Sequence, residues 1–293
     1  MKVGLVGLGR MGSAIYGRLT ESGCDVVAWD RDDRAMQAAA GRNVRLADSP
    51  RAVAAASEIV VSIITEDEGV RNLFCGTDGF LAGDVKGKLF VEMSTLRPPT
   101  GRALAPLVET AGARLIEAPV LGTLPSARTG KLFAMVGGRA EDLERARPLL
   151  AKLARRIEHM GPNGAGYAMK LAANLGLAAF IQATGESLAL GQREGLSLPQ
   201  MVDVLSEAAQ AKNWVALKRG QLMGEPDDMT LDIRTLRKDL MSVVATGATD
   251  GAGLPLAASV LASLSAAVVA GWGDKDIGEL ARFIRDEMGQ TYS

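Results

Sequence analysis

Lys170 and Asn174 stand four residues apart in an otherwise apolar stretch, GPNGAGYAMKLAANLGLAAFIQATGESLALG, from Gly161 to Gly191. On a helix that spacing stacks an ammonium above a carboxamide on one face, about one turn apart. Such a pair can exchange a proton with a polar group brought against the helix and hydrogen-bond it at the same time. The same spacing also suits a lysine that snorkels to water and an asparagine that caps a neighbour. The pair alone does not choose between these readings.

A second constellation lies at the N-terminus. The apolar run at 1–6 feeds into Gly7-Leu8-Gly9-Arg10-Met11-Gly12, a helical pattern follows to about residue 22, and CDVVAWD then reads as a strand ending at Asp30. Strand, glycine turn, helix, strand and terminal acid together point to a dinucleotide far more specifically than three glycines do. Gly7 permits the tight turn, Gly9 admits a pyrophosphate to the backbone, and Gly12 lets the helix pack on the strand. The helix N-terminus offers free N–H groups and a positive dipole end to the phosphates. Asp30 would accept hydrogen bonds from the adenosine ribose and repel a 2′-phosphate. Arg31 and Arg34 could instead hold that phosphate, but Asp32 and Asp33 add negative charge, so NAD is favoured over NADP.

These residues need a scaffold, and the chain spells one out. Apolar strand patterns at 44–46, 58–64, 88–94, 113–120 and 132–138 alternate with helical ones at 32–40, 49–56, 67–74, 100–112 and 141–152. That alternation predicts an α/β Rossmann domain, a doubly wound and mostly parallel sheet with helices on both faces. Ligands of such sheets bind beyond the carboxyl ends of the strands. Three strand ends therefore belong to the expected pocket: Ile64-Thr65, Met93-Ser94-Thr95 and Val120-Leu121-Gly122-Thr123. The hydroxyls of Ser94 and Thr95 also suit turns and helix caps. Pro162 and Asn163 open a long helix, too apolar all round for a surface helix. Beyond residue 164 the strand signal vanishes, and helices are expected at 198–208, 214–222, 231–250, 255–270 and 276–288, with joints at Gly195, Pro226, Gly251–Pro255 and Gly271–Gly273. The expected organisation is an NAD(P)-binding domain at 1–161 and an all-α substrate and oligomerisation domain at 162–293, joined by the long interdomain helix.

Composition narrows the chemistry. The chain has 293 residues, 47% of them hydrophobic, with a net charge of -1. This balance gives no electrostatic reason to expect nucleic acid or an anionic membrane as partner. The apolar run at 256–272 is punctuated by serines and falls short of the about 20 residues of a membrane span. Cys24 and Cys75 are in no metal-ligand spacing and read as buried free thiols of a reducing compartment. MKVGLVGLG leaves no room for a secretory leader. A cytoplasmic protein without a metal is expected. The single histidine, His159, is read as structural, which excludes a histidine-centred dehydrogenase, a serine triad or a multi-histidine metal site. Proton transfer falls to lysine, a carboxylate, tyrosine or cysteine.

The ordered set GLGRMG, MST, EAPVLGT, Gly164-x-Gly166-x-x-x-Lys170-Leu171-x-x-Asn174 and Arg237-Lys238-Asp239-Leu240 resembles the β-hydroxyacid dehydrogenases over essentially the whole chain. That family includes 3-hydroxyisobutyrate dehydrogenase and tartronate semialdehyde reductase. The resemblance implies hydride transfer between NAD or NADP and a short 3-hydroxy acid or semialdehyde. It makes Lys170 the general acid/base, with Asn174 hydrogen-bonding the substrate and Gly122 offering its N–H to the substrate carboxylate. It places Ser94 and Thr95 at the nicotinamide half, Lys238 on the cofactor and Asp239 beside Lys238 as its orienting group. It also implies a homodimer or homotetramer built through the helical domain. A lysine ordinarily titrates near 10.4 and serves near neutrality only when burial or a second cation depresses it; Lys238 would be that cation. Two departures stand out. The family's serine and two glycines are here Leu121-Gly122-Thr123, and its leucine-proline at the cofactor loop is Ile64-Thr65. Arg97 could compensate by binding an anion. Imine reductases resemble the chain in layout but usually replace the lysine. A catalytically silent dinucleotide-binding module would be expected to lose Lys170 or Asn174, and both are present.

Overall fold

The computed structural model describes residues 1–42, 44–208, 212–225 and 228–288. The chain divides into two compact units, Met1–Leu171 and Ala172–Ser293. The division falls inside one long helix.

In the first unit β1 (Lys2–Val6), β2 (Asp25–Trp29), β3 (Ile59–Ser62), β4 (Leu89–Glu92), β5 (Arg114–Glu117), β6 (Val120–Leu121), β7 (Leu132–Gly137) and β8 (Ala154–Gly161) form one sheet. Its order is β2-β1-β3-β4-β5-β7-β6, with β8 pairing on β7. Strands β1 to β5 are parallel, whereas β7 runs antiparallel to β5 and β6. Helices α1 (Arg10–Glu21), α2 (Asp33–Ala40), α3 (Pro50–Ala55), α4 (Asp67–Cys75), α5 (Pro98–Thr110), α6 (Leu124–Arg128) and α7 (Ala140–Leu153) connect them. Parallel strands covered on both faces read as continuous apolar runs, and β1 and β3 do. Successive residues point to opposite faces, so Val61 joins a cluster with Ile15, Leu19 and Leu149, while Val60 joins one with Phe74, Phe80 and Phe90. Phe74 meets Phe80 edge-on at 5.0 Å between centroids, in the cluster that covers Val60.

The long helix α8 (Ala165–Arg193) is 29 residues long. In the second unit it is followed by α9 (Leu198–Glu207), α10 (Lys212–Leu217), α11 (Arg219–Met223), α12 (Ile233–Thr249), α13 (Pro255–Val269) and α14 (Gly278–Phe283), the last continuing as a π-turn at Ile284–Met288. Asp232 caps α12 by accepting the Thr235 N–H at 2.7 Å. The fold is thus a Rossmann domain followed by an all-α domain, joined by a long helix.

Several elements depart from the sequence reading. Residues 44–46 contribute only a bridge from Leu46 to Ala28. The expected strand at 113–120 is interrupted at Ala118–Pro119, giving β5 and β6, which pair antiparallel with β7 in one continuous register. Strand β8 escapes the pattern because Arg155, Arg156, Glu158 and His159 decorate an edge with polar side chains. The helix expected at 214–222 is split at Lys218, whose side chain turns inward (2% exposed). The expected joint at Pro226 lies outside the described residues. No helix among the described residues is long and apolar enough to cross a membrane.

Candidate active site

The glycine turn is built as its chemistry requires. Gly7 has φ +99°, and a Cβ there would come within 2.1 Å of the Ile63 carbonyl oxygen. A Cβ on Gly12 would lie 1.9 Å from the Gly7 oxygen, so only glycine lets α1 approach the turn. At Gly9 a Cβ would meet nothing within 4 Å, which leaves the space a phosphate group needs. Gly9 is also the N-cap of α1, and the first turn carries no acidic residue to compete with an anion. Leu8 is buried and its N–H is held by Asp30, while Arg10 is exposed and Met11 packs on the core.

A cavity of about 470 Å³ opens beyond this turn, lined by Gly7, Gly9, Asp30, Arg31, Ile64 and Thr65 among others. Its walls are largely apolar, with Trp29, Pro50, Ile63 and Leu73, and Glu66 and Asn72 complete it. Asp30 spans the turn: Oδ2 accepts the Leu8 N–H at 2.5 Å and Oδ1 the Asp32 N–H at 2.9 Å. Open space at Gly9, a bare helix N-terminus and an acid at the end of β2 together fit a dinucleotide.

At the end of β4, Ser94 is buried and Thr95 half-buried. The Ser94 hydroxyl accepts the Ile64 N–H at 2.8 Å, tying this strand end to the cavity loop. Arg97 is engaged with Asp67, its backbone N–H donating to Oδ1 at 3.1 Å and its guanidinium 3.6 Å from Oδ2. Leu121 pairs with Phe133 across β7. Gly122 takes φ +135°, where a Cβ would lie 2.8 Å from Leu132, and Thr123 is the N-cap residue of α6. Lys170 donates from Nζ to the Val120 carbonyl at 2.9 Å, which brings its ammonium to the head of the 120–123 segment.

The second unit holds the other expected group. Asn174, one helical turn beyond Lys170, is buried and donates from Nδ2 to Asp239 Oδ2 at 2.7 Å. The Lys238 ammonium lies 2.6 Å from Asp239 Oδ1. His159 sits in β8 with Nε2 2.8 Å from the Gly138 carbonyl oxygen, a structural contact. Among the described residues no three His, Cys, Asp or Glu side chains gather as a metal site.

Sequence reasoning missed two buried carboxylates. Glu92 ends β4 with its side chain fully buried, and burial pushes its carboxyl up to about 7 against the hydrogen bonds of Ser94 and Tyr167. Glu117 ends β5, and burial likewise raises it to about 7 although the N–H groups of Gly164 and Tyr167 donate to it. The signal was a charged residue closing an apolar strand, in LFVE and RLIE.

Comparisons with known proteins agree with this geometry. Residues 2–161 match the family described as the NAD binding domain of 6-phosphogluconate dehydrogenase, and residues 164–284 that described as the NAD-binding of NADP-dependent 3-hydroxyisobutyrate dehydrogenase. The chain belongs to the β-hydroxyacid dehydrogenase family and is an NAD(P)-dependent oxidoreductase acting on the CH–OH group of a hydroxy acid. A 3-hydroxyisobutyrate dehydrogenase of Pseudomonas aeruginosa is 34% identical over 212 residues, 72% of this chain and 71% of that protein. An NAD-dependent L-serine dehydrogenase of the same organism is 32% identical over 213 residues, 73% and 71% of the two chains. Among solved structures, a Mycobacterium tuberculosis 3-hydroxyisobutyrate dehydrogenase with L-serine aligns with a TM-score of 0.83 at 28% identity, covering 97% of this chain and 99% of that one.

Proposed function

We propose that the enzyme interconverts a short 3-hydroxy acid bearing an alkyl group and the matching semialdehyde, with NAD as the favoured cofactor and Lys170 as general acid/base. The observation that carries this reading is the Lys170 ammonium at 2.9 Å from the Val120 carbonyl, beside the Leu121–Thr123 segment. A nicotinamide held there would supply the hydride acceptor in oxidation of the carbinol and the hydride donor in reduction of the aldehyde. Lys170 accepts the hydroxyl proton in oxidation and delivers it to the alkoxide in reduction. The Gly122 N–H and Asn174 hold the substrate, and apolar Leu121 selects an alkyl substituent over a hydroxyl. Gly7, Gly9 and the start of α1 hold the pyrophosphate, and Asp30 holds the adenosine ribose, which supports NAD. Lys238, oriented by Asp239, and Thr95 complete the cofactor contacts.

In this reading residues 1–161 bind the cofactor and 162–293 supply substrate contacts and assembly. Exposed Val204, Leu256 and Val269 on the helical unit support a homodimer or homotetramer. Cys24 is buried as expected, whereas Cys75, at the exposed end of α4, is not; both are free thiols, which supports a cytoplasmic setting. The test is a spectrophotometric panel of 3-hydroxy acids and short semialdehydes with NAD(H) and NADP(H), on wild type and Lys170→Ala. Turnover should fall by about 100-fold or more in the variant, and equal rates in both would remove Lys170 from the chemistry.

A further inference from the structure

Glu92 closes a parallel strand of apolar residues, and its side chain is nonetheless fully buried. Four donors converge on it, one of them the Ser62 hydroxyl at 3.4 Å from Oε1. The Tyr167 hydroxyl donates to Oε2 at 2.6 Å, the Ser94 N–H to the same oxygen at 3.0 Å, and the Ser94 hydroxyl to Oε1. The Ser94 oxygen in turn accepts the Ile64 N–H at 2.8 Å, and Ile64 lines the cavity with Gly7 and Asp30. At the other end of this chain Tyr167 sits in the first turn of α8. Its N–H donates to Glu117 at 3.2 Å, and the Gly164 N–H donates to the same carboxylate. Lys170 follows Tyr167 by three residues, which makes the two neighbours on the helix surface.

Apolar residues of similar volume would hold a strand end to a helix at lower cost than a buried carboxylate. What they could not do is fix the direction of the Ser94 hydroxyl and of the Tyr167 ring. We propose that Glu92 and Tyr167 are positioning residues, coupling the cofactor loop at Ile64 to the helix turn that carries Lys170. Loop geometry and lysine alignment are then set together. This rests on the dehydrogenase reading above.

The test is a double-mutant cycle on Tyr167→Phe and Ser94→Ala, reading the Kd of NADH by fluorescence and kcat and KM by initial rates. Tyr167→Phe removes one oxygen and keeps the ring. It should weaken NADH binding about 3- to 10-fold and lower kcat more than it raises KM for the hydroxy acid. In the Ser94→Ala background it should add no further loss of NADH affinity, because the path to Ile64 is already cut. Effects on Kd that multiply, or a Tyr167→Phe variant that lowers only Tm, would overturn the coupling. Should Tyr167→Phe not fold, Glu92→Gln with Ser94→Ala completes the same cycle. A wild type that binds NADH but oxidises no hydroxy acid ends the substrate reading while the binding cycle still decides the coupling, and a wild type that binds no dinucleotide ends both.

Discussion

Asp30 Oδ2 lies 2.5 Å from the Leu8 nitrogen, so the acid at the end of β2 is part of the glycine turn's own hydrogen bonding. One carboxylate therefore shapes the phosphate loop and presents its charge to the cavity beside Arg31. On the proposed reading, Asp30→Ala removes the charge that would disfavour a 2′-phosphate and leaves Arg31 in place. The KM for NAD should rise about 10-fold, worth about 1.4 kcal/mol, and the preference should move toward NADP. Initial-rate kinetics with both cofactors measure this, and an unchanged NAD/NADP ratio would show that Asp30 does not select.

In the helical unit, Lys218 Nζ lies 2.8 Å from Asp276 Oδ1 with both side chains nearly inaccessible. Lys218 also donates to Thr230 Oγ1, and Asp276 accepts the N–H groups of Thr230 and Gly278. The pair stitches the α10–α11 joint to the segments flanking α12 and α14. Burial would raise the Asp276 carboxyl, but the hydrogen bonds of Lys218, Gly278 and Thr230 hold it below its ordinary value. Its contribution is therefore present above the ordinary aspartate range and lost as pH falls below it. Lys218→Met leaves a buried carboxylate without its cation and should cost about 3–5 kcal/mol. Urea unfolding of the helical unit reads this out, and a loss below about 1 kcal/mol would place the pair among weak surface bridges.

Glu92 and Glu117 give a pH signature of opposite sign. Burial raises both to about 7, so between the ordinary glutamate value and about 7 the folded chain holds protons that the unfolded chain has released. Stability contributed in this way is fully present at low pH and falls as pH rises through that window. Tm should decline from pH 5 to pH 7.5, and Glu92→Gln should flatten the decline. Groups facing Glu92 are Ser62, Ser94, Tyr167 and the Glu117 charge, and none of them titrates in this range except Glu117 itself. A Tm that rises steadily over the same interval, in wild type and variant alike, would contradict the assignment.

Much of the fold was legible because its signals are local. Gly7, Gly9, Gly12 and Asp30 announce the turn through residue types at fixed spacings within one strand–helix–strand unit, and the apolar strand runs fix the sheet. The buried carboxylates were not legible because their partners are distant: Glu92 meets Tyr167 across 75 residues, and Glu117 meets Gly164 across 47. Lys218 is similar, since nothing local distinguishes a solvated helix lysine from one paired with a residue 58 positions away. Lys170 and Asn174 were visible as a spaced pair, but their partners Val120 and Asp239 lie 50 and 65 residues off and emerge only in three dimensions. Strand β8 was lost for another reason, because an edge strand with one polar face lacks the apolar run that marks a buried one.

Leu121 is the residue on which substrate choice should turn. It is half-buried in β6, paired with Phe133, and precedes a glycine that no other residue can replace without strain at φ +135°. Its backbone position is thus fixed, and exchange of its side chain changes chemistry with little change of shape. Leu121→Ser trades an apolar contact for a hydroxyl donor. A site of this kind discriminates by about 10- to 200-fold per methylene-sized contact. The variant should lose at least about 10-fold in kcat/KM on 3-hydroxyisobutyrate and gain on serine, so that the ratio between the two moves in one direction. Competition of the two substrates for the same NAD-loaded enzyme measures that ratio directly. If both substrates change by the same factor, Leu121 supports the loop without facing the substituent, and specificity must be sought in residues other than Leu121.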